Sequence, residues 1–284
     1  VEDSVKAVVD AYSGEVYFYK LSDSPITRSW ARIYPDLFED ISSMPESLLS
    51  HTTYPPQLFH YQFDDLWIYY HMNDPMYFFN LEDMWDDADE VLGPVISDGK
   101  SIRFSNEPYP LIMNTGGFMP NAEAATQYTM LMAFTPEKAL NLRAMPIVYQ
   151  DWPNYGKRAV LEVPKGTFVL GPEQADSLID QDPTISSQFA LWNRRGMDII
   201  RGHTVIIPLE SEVLYVEPIF LRSRQNAVTQ LSKVAVVFRE RVAMADTLEE
   251  ALTAVYAMIE ADGPAMASDS ADHGDADYAL ASEE

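Results

Sequence analysis

Apolar and other positions alternate from the start of the chain. Val5, Ala7 and Val9 alternate with their neighbours, Ser13-Gly14 supplies a turn and Val16-Tyr17-Phe18-Tyr19 returns, which predicts a hairpin over 5–21. The period then lengthens. Ser24-Pro25 opens a helix that sets Trp30 and Ile33 on one side. Pro56 opens a longer one, with Phe59, Phe63, Leu66, Trp67 and Tyr70 at spacings of three and four. Asp74-Pro75 and Asn80 read as two further helix starts. Between about Asp86 and Glu107 periodicity gives way to acids, Gly and Pro, and a long surface loop is expected.

From Tyr109 strand patterns dominate. Leu111–Met113 and Thr129–Phe134 flank a Gly-Gly loop, a helix is expected over Pro136–Arg143, and Arg158–Val163 reads as another strand. Helices over Pro172–Ile179 and Thr184–Arg194 precede strands near Ile199–Pro208, Glu212–Phe220 and Ser232–Arg239. The last helix opens with a capping box, Thr247 with Glu250, and carries one apolar stripe of Leu248, Ala251, Leu252, Val255 and Ile259. Ala, Ser, Gly and acids dominate 263–284, which has no Lys or Arg, and a disordered acidic tail is expected there. There is no internal repeat. Helices and strands alternate irregularly with short links, which predicts an α+β fold: a mixed, largely antiparallel sheet with short covering helices. It forms a single large domain over 1–262, with a sub-boundary near 100–108.

Composition narrows the function classes. Of 284 residues 47% are apolar, enough for a large core. Against 19 Lys plus Arg stand 44 Asp plus Glu, a formal charge of -25, which repels nucleic acid and anionic headgroups; adaptation to high salt is a competing source of this acidity. Cysteine is absent, so thiolate and disulfide chemistry are excluded. No apolar run reaches the ~18–20 residues that cross a bilayer. The chain opens on Val in a strand-like pattern, as expected of a piece of something longer.

Several phrases occur in a telling order: YHMNDPMYFFNLEDMW (Tyr70–Trp85), AFTP (Ala133–Pro136), NYGK (Asn154–Lys157), LIDQDPTIS (Leu178–Ser186), LWNRRG (Leu191–Gly196) and LYVEPIFL (Leu214–Leu221). In that order they resemble uncharacterised protein family 0182, prokaryotic membrane proteins with a multi-spanning N-terminal half and a large extracytoplasmic domain. The chain resembles the soluble C-terminal part. The resemblance implies a parent anchored in the plasma membrane, with this segment on the extracytoplasmic side. Leu81 and Arg222 depart from the family pattern, where Arg and Gln are common. The resemblance carries no catalytic residues.

Candidate chemistry falls into two halves. His71, Asp74, Glu82 and Asp83 have the types for a divalent-cation site or for acid–base work in a cell-envelope enzyme or hydrolase, and equally for helix caps. His60 and Asp64 stand four apart on one helix face. Asp83, Asp86, Asp87 and Asp89 are candidates for Ca2+, against plain solvated surface. Among the aromatics of 54–85, Tyr61, Tyr69 and Tyr77 fall off the core stripe and suit a carbohydrate-binding module. The rear half concentrates cations: Arg194, Arg195, Arg201, Arg222, Arg224, Lys233, Arg239 and Arg241. The first five are the candidate anion- or partner-binding set, against internal pairing with acids. No GxSxG, HExxH, P-loop or dinucleotide fingerprint is present. The expected role is binding or assembly, with a protein partner or a homo-oligomer outside the membrane and no nucleic acid.

Overall fold

The unbroken apolar runs form the middle of the molecule. The computed structural model describes residues 2–94, 102–115, 126–209, 212–225, 228–262 and 279–280. Ala144–Tyr149 has every residue buried. It pairs antiparallel with Arg158–Glu162 on one edge, and with Phe134–Pro136 and Thr126–Leu131 on the other. Trp85–Asp87 and Tyr109–Asn114 extend this central sheet. Ala144–Tyr149 lacks a polar face because both its faces are covered. Met130, Met132, Phe134, Val148 and Val160 pack with Phe59 and Phe63, while Leu131, Ala133, Met145, Ile147 and Leu161 face a second core.

That second core is shared with a rear sheet. The long strand Glu212–Ser223 pairs with Thr229–Phe238 on one side, and on the other with Val205–Leu209 and Met197–Arg201. Gly93–Pro94 adds to Met197–Arg201, and Arg241–Ala245 closes the far edge. Period-two alternation sends Leu214 and Val216 to the helix Leu248–Asp262, and Val213, Tyr215 and Ile219 to the shared core. Glu217 follows the second set and therefore faces inward. Helices Pro172–Gln181 and Pro183–Arg194 close the same core with Ala175, Ile179, Ile185, Phe189 and Trp192.

The α+β fold class and its largely antiparallel pairing are as expected, as is the first hairpin; a parallel pairing joins Val16–Lys20 to Phe38–Asp40. Three expectations are corrected. Pro136–Arg143 is no helix but a turn leading into Ala144–Tyr149, because buried Leu142 and Arg143 feed that central strand. Asn80 ends the helix Pro75–Asn80 instead of starting another, with Leu81 in the left-handed region at φ 53°. The acidic stretch expected as a loop carries Asp89–Val91 paired to Arg103–Ser105, with Trp85, Ala88 and Glu90 buried. Outward acids there masked inward positions. Of the sub-boundary near 100–108, residues 100–101 lie outside the described residues and the rest carries the strand Arg103–Ser105; the expected tail lies outside them except Ala279–Leu280, which pairs with Leu161–Glu162. Among the described residues no helix is long and apolar enough to cross a membrane.

One close approach sets the helix Pro172–Gln181. A Cβ on Gly171 would stand 1.8 Å from the Leu140 carbonyl oxygen, and the Gly171 N–H donates to Gln174 Oε1 at 2.9 Å. Gly171→Ala is expected to cost about 1–3 kcal/mol in urea unfolding, since backbone must move to admit the methyl; an unchanged midpoint would contradict this packing.

Candidate functional site

The front-half candidates do not converge. Asp74 caps the helix Pro75–Asn80, accepting from the N–H groups of Met76 and Tyr77. Glu82 accepts from Asn80 Nδ2 at 2.9 Å, and Asp83 pairs with Arg143 and Lys165. His71 stacks on buried Trp85 at 3.7 Å, with Nδ1 2.7 Å from the Trp67 carbonyl and Nε2 2.9 Å from that of Asp83. Both ring nitrogens are engaged by main chain, so neither is open to a metal or substrate. The four residues build helix ends and packing, which is a correction to their reading as one site.

Asp86, Asp87 and Asp89 do share a place. With Glu137, Lys138 and Glu173 they line a cleft of about 320 Å³. Burial, then a hydrogen bond and the charge of Asp64, push the Asp87 carboxyl up to about 8. Asp64 lies on the wide helical turn Phe63–Trp67, 3.7 Å from His60 Nδ1. Among the described residues no three His, Asp or Glu side chains stand where they would hold a metal ion. Asp83 is drawn away by its own cations.

The strongest concentration of charge is inside, where no candidate set placed it. Arg201 ends the strand Met197–Arg201 with its side chain 0% exposed. Its Nε and Nη2 donate to the two carboxylate oxygens of Glu217, also 0% exposed. Nη2 reaches Asp176 Oδ1 at 3.2 Å and Nη1 reaches Asp180 Oδ1 at 2.9 Å. Asp176 and Asp180 meet this one fork because four residues bring a helix round to the same face. A third buried acid, Glu90, accepts from Asn106 Nδ2 and the Thr204 N–H, and stands 2.9 Å from His203 Nδ1. Asp176 Oδ2 accepts the Val91 N–H at 2.7 Å, and the Thr204 hydroxyl lies 3.3 Å from its Oδ1. Gly202 makes the turn between strands fit: a Cβ there would meet the Pro218 ring at 2.8 Å. The sequence signal was available. Arg201-Gly202-His203-Thr204 interrupts an apolar strand pattern, and Asp176 and Asp180 sit among the apolar positions Ala175 and Ile179.

The rear arginines therefore divide. Arg201 is enclosed and unavailable to an outside partner, which corrects its place in the binding set. Arg239 pairs with Glu212 and Lys233 with Asp246. The other four members of the set are exposed or half-exposed, and two of them share a partner. Arg222 and Arg224 both bind Asp198, at 3.3 and 2.8 Å, and hold its carboxyl below the usual range, the Arg224 hydrogen bond first. Arg224 also donates to Asn193 Oδ1 at 2.7 Å and, through its N–H, to the Gly196 carbonyl. Between those two positions lie Arg194 and Arg195, both exposed at the C-terminal end of the helix Pro183–Arg194. Two guanidinium groups thus hold one carboxylate.

A family model described as an uncharacterised protein family (UPF0182) matches residues 1–192. Among curated relatives, a UPF0182 protein of Microcystis aeruginosa is 39% identical over 90% of this chain and 25% of its own length. Relatives from Moorella thermoacetica and Synechocystis are 37% and 38% identical over 90% of the chain, and over 27% and 24% of their own lengths. The chain spans about a quarter of the length of these relatives. No solved structure gives a significant match.

Replacing the buried cation isolates what it does. Arg201→Met strands Glu217 and Asp176 without their counter-charge, and a loss of about 3–5 kcal/mol is expected in urea unfolding at neutral pH. A loss under about 0.5 kcal/mol, the range of an ordinary surface change, would show that the cluster does not hold the fold.

Proposed function

The chain belongs to the uncharacterised protein family UPF0182, and from that premise we propose that it is the extracytoplasmic binding and assembly module of a longer, membrane-anchored protein. It docks through the patch Arg194, Arg195, Arg222 and Arg224. The address follows from the family likeness legible in the sequence. The docking role is supported by one observation: half-exposed Arg222 and Arg224 share Asp198, and exposed Arg194 and Arg195 lie in sequence between the two residues that Arg224 binds, in a chain of net charge -25. A guanidinium fork matches a carboxylate in geometry as well as charge, so the partner is a carboxylate-bearing protein face, on another protein or on another copy of this chain.

A second reading rests on exposed rings. Trp30 and Tyr34 stack at 5.8 Å on the outside of the helix Pro25–Ile33, and Phe79 is 82% exposed on the helix Pro75–Asn80. Such surfaces suit carbohydrate stacking. A glycan array separates this reading from the first, because sugar binding lost in Trp30→Ala would favour it.

The docking reading predicts association at about 0.02 M salt that fades by about 0.5 M, where charges are screened beyond a few ångströms. Arg194→Glu with Arg195→Glu should abolish it while leaving the unfolding free energy within about 0.5 kcal/mol. Sedimentation and pull-down from envelope extracts provide the readout. A strictly monomeric protein that retains nothing at low salt would overturn the proposal.

A further inference from the structure

The interior cluster holds more negative charge than its cation neutralises. Glu90 and Glu217 are 0% exposed and Asp176 is 1% exposed, against the single buried guanidinium of Arg201. Asp180, 43% exposed, adds a further carboxylate at the rim, and His203, 59% exposed, stands at the solvent end beside Glu90. The Arg103–Glu173 pair borders the same helix, and the Tyr109 hydroxyl is committed to the Ile206 carbonyl. Two uncompensated charges in such surroundings cost several kcal/mol each, whereas one bound proton removes half of the excess.

The hydrogen bonds point to where a proton fits. Both oxygens of Glu217 are taken by the Arg201 fork. The oxygens of Glu90 face an amide, a backbone N–H and the His203 ring, and Asp176 Oδ2 faces the Val91 N–H. Only Asp176 Oδ1 faces a hydroxyl, that of Thr204 at 3.3 Å. A hydroxyl accepts as readily as it donates. Rotating it lets Asp176 Oδ1–H donate to Thr204 Oγ1, while the other lone pair of Oδ1 keeps the Arg201 Nη2 contact at 3.2 Å.

We propose that Asp176, Glu90, Glu217 and Arg201 form a proton-binding interlock between the strand Asp89–Val91, the helix Pro172–Gln181 and the rear sheet, with the proton on Asp176 facing Thr204. Acid tightens this lock and alkali loosens it, so the joint between these elements responds to the pH outside. Burial pushes Asp176 from 3.8 up to about 6, and the charge of Arg201 opposes the shift. Burial pushes Glu217 higher still, to about 8, against the pull of the Arg201 fork. Because that fork takes both Glu217 oxygens, the geometry assigns the shared proton to Asp176. The sign follows from linkage. The folded state binds the proton more tightly than the unfolded chain, so its stabilisation is complete below pH 3.8 and lost as pH rises through about 6.

The test compares the wild-type chain with Asp176→Asn, whose amide donates to Thr204 at every pH. The ratio of wild-type to variant unfolding constants, from urea titrations, should climb about tenfold per pH unit between about pH 4 and about pH 6, then level off. The ratio cancels the general repulsion of the other carboxylates. A ratio flat across that range overturns the proposal. Difference infrared spectroscopy of the Asp87→Asn chain, which lacks the raised carboxyl of the front cleft, stands independently, should the Asp176 variant not fold. A protonated carboxylic acid band in the folded state at about pH 5, lost by about pH 8, supports the interlock, and its absence at both refutes it.

Discussion

The fork of Arg201 is the contact that ties the rear sheet to the helix Pro172–Gln181. It ends one strand of the rear sheet, grips Glu217 on the next, and reaches across to Asp176 and Asp180 on the helix that covers the shared core. Asp176 passes the connection to the Val91 N–H, and Glu90 returns it through Thr204. A strand from the acidic front, a helix from the middle and a sheet from the rear thus meet at one point. An apolar core alone would hold these layers at lower desolvation cost. What the charges add is direction: only one register of strand, helix and turn satisfies every oxygen.

This arrangement also explains why acidity and architecture are separate matters in the chain. Among the described residues most acids are exposed or half-exposed and set the charge without setting the fold. The few that turn inward consume a cation, and other rear cations are consumed at the surface by Glu212 and Asp246. Arg222 and Arg224, which share the single carboxylate of Asp198, and Arg194 and Arg195 remain outward. A surplus at one place on so negative a surface is an electrostatic landmark, and an acidic partner face is its natural complement.

Much of the fold was legible because it rests on local patterning. The hairpin over 5–21, the Pro-opened helices and the Thr247 cap are encoded within a few residues, and all appear. The central strand Ala144–Tyr149 was not legible, since burial on both faces erases the alternation that marks a strand and Pro146 reads as a breaker. Trp85–Val91 failed for the opposite reason: its outward acids read as loop, while Glu90 is inward only because His203 and Thr204, more than a hundred residues away, receive it. The candidate sites divide the same way. Asp74 was readable as a cap from its own neighbourhood, whereas the fate of Arg201 required knowing which acids the helix Pro172–Gln181 would bring to it.

Native-state hydrogen exchange at two amides tests the central claim most directly. The Val91 and Thr204 N–H groups donate to Asp176 and Glu90, in the joint itself, while those of Val234–Phe238 lie within the rear sheet. If the charged cluster locks the layers together, Val91 and Thr204 exchange only with the strand amides, through one global opening that denaturant promotes equally. Exchange of Val91 and Thr204 through a separate, denaturant-insensitive opening, with the strand still protected, would contradict the account.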